Sequence, residues 1–140
     1  MRNKSIIEKS ESILSAKKIY FEKIFFQRSK HNGNIIKFSD TGIGKEIIAV
    51  NENEYKCSIN LNMSDNDEDA TLEIKVSGIF ELRGDFDEET RNVIIAKNTM
   101  AILFPYLRSQ VTLLTAQPDV EAVILPPINI NALLENLEDE

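Results

Sequence analysis

The chain has 140 residues, 42% hydrophobic and 28% charged, which suits one globular domain with its own core and excludes a disordered chain. Its single cysteine, Cys57, excludes an intrachain disulfide and fits a reducing compartment. The net charge of −7 is uneven: residues 1–30 carry eight Lys/Arg against three Asp/Glu, residues 31–140 eight against twenty. An acidic body repels phosphate backbones, which argues against nucleic-acid binding. It suits either a basic protein partner or plain solubility.

No apolar run approaches the roughly 18 residues of a membrane helix. Met1 to Lys18 is polar and lacks the apolar core of a signal peptide. The expectation is a cytoplasmic protein without membrane insertion.

In chain order, residues 1–16 read as a polar arm or short helix. Lys17 to Arg28 is dense in aromatic and β-branched residues and predicts a strand. Strict alternation gives it the faces Ile19/Phe21/Lys23/Phe25 and Tyr20/Glu22/Ile24/Phe26, both partly apolar. His31 to Asn34 is a turn signal. Ile35, Ile36 and Phe38 predict a short extended piece, broken at Asp40-Thr41-Gly42, and Glu46 to Val50 is a second apolar run.

Clean alternation follows. Tyr55, Cys57, Ile59, Leu61 and Met63 point one way, and Lys56, Ser58, Asn60 and Asn62 the other. The acidic turn Ser64 to Asp69 separates this strand from a second one with Leu72, Ile74, Val76, Gly78 and Phe80 on one side. Together they predict an antiparallel hairpin with one wet face. Gly84 to Glu89 then offers an Asp N-cap and first-turn acids for a helix over Glu88 to Thr115, with a kink or break expected at Pro105. Gln117 to Asp119 is a turn. Val120 to Ile128 is an apolar loop stiffened by Pro126 and Pro127, and Ile130 to Leu137 a short amphipathic helix. Residues 138–140 form an acidic end.

Catalytic chemistry finds little support. The only histidine, His31, sits in a turn, and Cys57 lies on an apolar strand face, where a core role outweighs an activated thiolate. One Cys and one His cannot complete a structural zinc site. Gly42-Ile43-Gly44-Lys45 lacks the spacing of either nucleotide-binding pattern, since Ile47 stands where a further glycine is needed, so it reads as a turn. Ser64 to Asp69 lacks the central glycine and terminal Glu of a calcium loop and reads as a solvated hairpin tip. Adjacent Glu88 and Glu89 diverge on a helix and suit its positive end. No cofactor, metal or enzymatic activity is expected. What remains is surplus apolar surface in the loop and first strand, which marks either a binding site or a cover for the core or a subunit interface.

Two motifs in register carry a family resemblance. Leu103-Phe104-Pro105-Tyr106-Leu107-Arg108 in the long helix is followed by Leu125-Pro126-Pro127-Ile128-Asn129-Ile130-Asn131-Ala132-Leu133. With Gly78-Ile79-Phe80 and Ile19-Tyr20 upstream, the chain resembles the SecB family of protein-export chaperones along nearly its whole length. The resemblance implies an α+β fold: an antiparallel sheet of about four strands, one long helix and a short C-terminal helix, over residues 17–137. It also implies a homodimer or dimer of dimers that uses no ATP, and unfolded polypeptides as clients. Typical members deliver clients to the motor SecA through acidic sheet residues. Glu73 stands where one such acid is expected, whereas Lys23 and Gln27 replace two others, and Ile130 and Asn131 replace the family's aromatic and acid. The family also has divergent members that protect an antitoxin.

The leading expectation is therefore a holdase chaperone, with Phe26, Val120, Val123, Leu125, Ile128, Leu133 and Leu137 in an apolar client groove. The alternatives are a dedicated protein protecting one partner such as an antitoxin, or side chains that only pack the short helix onto the sheet. The long helix, with Ile94, Ile95, Ile102, Leu103 and Phe104, is expected near a subunit interface.

Overall fold

The computed structural model describes residues 13–29, 33–67 and 69–127. Four strands and one helix follow in order: β1 (Leu14–Arg28), β2 (Phe38–Ala49), β3 (Glu54–Asp65), β4 (Ala70–Leu82) and α1 (Glu88–Thr115). The strands form one antiparallel sheet in the order β1-β4-β3-β2. The polar arm up to residue 12, His31 and the predicted C-terminal helix over 130–137 lie outside the described residues.

The alternation of β3 and β4 survives intact. Cys57, Ile59, Leu61 and Met63 face Gly78, Val76, Ile74 and Leu72 across the ladder, and all but the glycine belong to the buried apolar core. Helix α1 lies on these two strands. It contributes Ile95, Met100, Leu103, Phe104, Leu107 and Val111 at near-helical spacing. Each fully buried aliphatic side chain contributes about 1.5–3 kcal/mol relative to exposure. The buried Thr99 and Thr115 hydroxyls donate back to the carbonyls of Ile95 and Val111, so no polar atom is stranded there.

The helix starts as the sequence predicts. The Asp87 carboxylate accepts from the Thr90 amide at 2.7 Å, and Glu88 and Glu89 fill the first turn. Of the kink or break expected at Pro105, the break is absent: the helix runs on through it to Thr115. Pro105 and Ala101, the residue whose carbonyl loses its partner, both face solvent, where water can replace the missing bond.

Three sequence expectations need correction. First, residues 40–45 are neither a break nor a turn; β2 runs through them. Gly42 and Gly44 lie opposite Asn62 and Asn60, whose side chains lean across the space a Cβ would need. Cross-strand fit overrides local glycine preference. Second, β1 starts at Leu14 rather than Lys17, and its alternation is broken twice, between Ala16 and Lys18 and between Phe21 and Lys23. Each irregularity inserts one residue and reverses the phase. Ile19, Phe21, Ile24 and Phe26 therefore share the helix side, whereas Tyr20, Lys23 and Phe25 face away. Third, the acidic tip is not wholly solvated. Asp65 and Asp69 are buried; the Asp65 carboxylate accepts from the Ala70 amide at 3.2 Å, and the Asp69 carbonyl from the Ser29 amide at 2.7 Å.

The two inserted residues of β1, Lys17 and Glu22, become hubs of ion-pair clusters. Lys17 meets Glu81 at 2.9 Å and Glu54 at 3.1 Å. On the sheet face away from the helix, Glu22 meets Lys56 at 2.5 Å and Lys75 at 3.2 Å, above a buried Ser58–Ser77 hydroxyl pair 2.8 Å apart. The Lys56 ammonium, backed by Lys75 and the Ser77 hydroxyl, outweighs desolvation and holds the Glu22 carboxyl at about 2.

A folded value below the unfolded one stabilises above the unfolded pKa, and that contribution is lost as pH falls through the folded value. Glu22→Gln is thus expected to cost on the order of 1 kcal/mol at neutral pH, partial exposure keeping it small. The difference from the parent should shrink between about pH 4.5 and pH 2 in denaturant titrations; a constant difference over that window would contradict the assignment. Gly78 supplies a second test. A Cβ there would sit 2.6 Å from Cε2 of fully buried Phe80 and 3.3 Å from the Lys18 carbonyl oxygen. Gly78→Ala should destabilise by about 1–3 kcal/mol, read as a clearly lower thermal midpoint, and an unchanged midpoint would refute the close fit.

Candidate functional site

Among the described residues no group of three or more His, Cys, Asp or Glu is placed to hold a metal ion. Cys57 is buried; burial pushes its thiol up to about 11 against a smaller opposing effect of the Thr99 hydroxyl, so it is no nucleophile at neutral pH. Gly42 to Lys45 lie in a strand and form no phosphate cradle. No helix among the described residues is long and apolar enough to cross a membrane.

The unusual feature is apolar surface left in water. From Asn98 to Ala116 the helix carries one charge, Arg108. Ala101, Pro105, Tyr106, Ser109 and Leu113 are exposed along this stretch, Leu113 to 68%. In a chain 28% charged, about five helical turns whose one charge is Arg108 need a reason.

The loop after the helix runs back along α1 and is fastened by side chains from one helix face. Arg108 Nε donates to the Leu125 carbonyl at 2.7 Å, Thr112 Oγ1 to the Val123 carbonyl at 3.1 Å, and the Val123 amide to Thr115 Oγ1 at 2.8 Å. Upstream, Val120 makes a parallel bridge with Ile36, and Arg28 donates to the Asp119 carbonyl at 2.9 Å. Asp119 itself adopts the left-handed conformation, with φ of 62°, that asparagine and aspartate tolerate best after glycine. The loop is thus extended, with alternate side chains inward: Val123 and Leu125 pack against the core, while Ile124 is 71% exposed. Between the loop and α1 lies an open groove of about 450 Å³ lined by Arg108, Ser109, Thr112, Leu113, Ala116 and Ile124.

The residues expected in a client groove therefore separate. Val123 and Leu125 pack inward against the core and Val120 bridges to Ile36, so none of the three is among the residues that line the groove. Phe26 is half-buried at the far end of β1, edge-on to Phe38 with ring centroids 6.2 Å apart. Ile128, Leu133 and Leu137 lie outside the described residues. Glu73, the expected docking acid, is ion-paired with Lys23 across the β1–β4 ladder. Sequence reasoning passed over Leu113, Ile47 and Ile48, all exposed, whereas exposed Ile24 belongs to the first strand, whose surplus apolar surface it singled out. The near absence of charge from Asn98 to Ala116 was the signal for Leu113. The edge-strand isoleucines had none, because exposure at a sheet edge follows from strand order.

Comparison with known proteins agrees with this architecture. A family model for preprotein translocase subunit SecB matches residues 14–140. The protein-export protein SecB of Alcanivorax borkumensis is 32% identical over 92 residues, covering 64% of this chain and 58% of that protein. An uncharacterized protein of Methanocaldococcus jannaschii is 37% identical over 68 residues, 49% of this chain and 43% of its own length. The chain spans about half the length of the curated relatives it matches. Among solved structures, the Mycobacterium tuberculosis SecB-like chaperone Rv1957, in complex with a ChAD peptide from the HigA1 antitoxin, superposes with a TM-score of 0.66 at 14% identity, covering 90% of this chain and 95% of that one. The shared fold is the four-stranded antiparallel sheet with one long helix, and the family model extends over nearly all of the sequence: this chain belongs to the SecB family.

Proposed function

We propose that this chain is an ATP-independent holdase of the cytoplasm, binding unfolded polypeptide segments on exposed apolar surface and holding them back from folding. One observation carries the reading: a member of the SecB family keeps Leu113 and Ile124 in water beside a groove whose loop is already ordered. An ordered loop loses little freedom on association, and binding only the unfolded state delays folding by mass action. Val120, Val123 and Leu125 would support the groove from beneath. Phe26, Ile128, Leu133 and Leu137 are proposed to extend it.

A second reading, a dedicated chaperone of one partner such as an antitoxin, has its own support. Glu22, Glu54, Glu73 and Glu81 on the sheet are each paired with a lysine of the same chain. A face so neutralised offers little to SecA, whose family docking site is acidic. The structural relative Rv1957 was solved with an antitoxin peptide. Self-association into a dimer or dimer of dimers would bury the uncharged helix face around Ala101, Pro105 and Tyr106.

Two outcomes test these statements. Leu113→Ser combined with Ile124→Ser should weaken binding of reduced, carboxymethylated α-lactalbumin about fivefold or more, the equivalent of about 1 kcal/mol. Its thermal midpoint should stay near the parent's, whereas Val123→Ser with Leu125→Ser should lower the midpoint. Full binding by the first variant, without nucleotide, would remove the groove from the account. Sedimentation at micromolar concentration should give a multiple of the 15.9 kDa chain mass; a stable monomer would contradict the assembly.

A further inference from the structure

Among the described residues that line the groove between α1 and the loop, one is charged. Arg108 stands there with Ser109, Thr112, Leu113, Ala116 and Ile124. It is half-buried and makes no ion pair with any described residue. The nearby loop acid Glu121 is taken by Lys37 at 4.0 Å. Arg108 Nε donates to the Leu125 carbonyl at 2.7 Å. That bond fixes the guanidinium against the loop and uses one of its five donors. The two terminal nitrogens have no partner among the described residues. A guanidinium already held in place loses little freedom when it grips a carboxylate through two parallel hydrogen bonds.

We propose that Arg108 makes the groove selective: it takes client segments in which a carboxylate stands two residues from an apolar side chain. This deepens the holdase reading and rests on it. The spacing follows from the geometry. Leu113 lies about 7.5 Å beyond Arg108 along the helix axis, and Ala116 about 12 Å. An extended segment advances about 3.3 Å per residue. With its carboxylate on Arg108, such a segment brings its second residue level with Leu113 and its fourth close to Ala116. Both share the carboxylate's face, because side chains alternate along an extended chain. A carboxylate one residue out of step points away from Arg108. The chain as a whole carries a net charge of −7, so the preference is local to the groove. At about 0.15 M salt, exposed charges further off than about 8 Å are largely screened.

A client reaches this site more directly than the chain's own continuation. The loop runs towards the N-terminal end of α1, with Val123 at Thr112 and Thr115 and Leu125 at Arg108. It passes Arg108 heading away from Leu113, and Pro126 and Pro127 favour extended backbone there. The residues that follow would have to double back.

The test uses the full chain and synthetic peptides at about 0.15 M salt. The first peptide alternates leucine with serine and closes on a glutamate in phase with the leucines. The second has glutamine in that place, and the third has the glutamate moved by one residue. Each is made in both chain directions. In at least one direction the first should bind about threefold or more tighter than the other two. Arg108→Gln should bring the first and second to equal affinity, whereas a residue that only held the loop would lower both alike and leave their ratio unchanged. Should Arg108→Gln fail to fold, the three peptides on the parent decide. Equal binding of all three by the parent, or a preference that survives in Arg108→Gln, overturns the proposal. So does tighter binding of the first peptide by Glu135→Gln, which would make the chain's own tail the occupant. Affinity for the first peptide that falls as protein concentration rises would make a second copy the occupant, and overturns it as well. If the parent binds carboxymethylated α-lactalbumin but ranks the peptides equally, the selectivity is wrong and the holdase reading stands. If it binds neither, the holdase reading itself fails.

Discussion

One helix cannot cover four strands. A helix with its side chains is about 10–12 Å across, and strands lie about 4.8 Å apart, so α1 seals the two central strands and no more. The chain is built around that limit. β3 and β4 carry nearly uninterrupted apolar alternation beneath the helix. The flanking strands carry half-buried residues such as Phe21, Phe26 and Ile43, and exposed ones such as Ile24 and Ile47. Apolar surface at the margins follows from the single helix that covers the sheet among the described residues, and in the proposed function that remainder is the working surface.

The opposite face is handled by charge. Bulges in β1 place Lys17 and Glu22 as extra residues among charges from β3 and β4. Each cluster satisfies its own members, so the face is charged in composition yet nearly balanced locally. The chain's surplus acid lies elsewhere. This division, apolar at the margins and helix ridge, neutralised on the open face, keeps the proposed client contacts apart from the charged sheet face.

Much of the architecture was legible in the sequence because each feature had a local cause. Alternation in β3 and β4 reflects one dry face. Asp87 announced the helix start through its capping geometry, and the Leu103 to Arg108 and Leu125 to Leu133 segments carried the family. The failures were non-local. Gly42 and Gly44 looked like a turn because the asparagines that fill their space arrive from another strand. The phase of β1 was misread because a bulge has no sequence mark of its own. The inward direction of Val123 and Leu125 depends on Arg108, Thr112 and Thr115 binding the loop backbone, a relation between residues that only folding brings together. For the same reason two of the expected groove residues, Val123 and Leu125, pack inward, while the exposed Leu113 and Ile124 were not among those expected.

The central claim is that client contacts concentrate on the apolar margins left by the single helix layer. Methyl chemical-shift mapping of the isoleucines and leucines during titration with an unfolded polypeptide tests it most directly. The account predicts perturbation of Leu113, Ile124, Ile47 and Ile48, with Ile79 on the open sheet face unchanged. Shifts centred on Ile79, with the helix ridge and sheet edge silent, would contradict it.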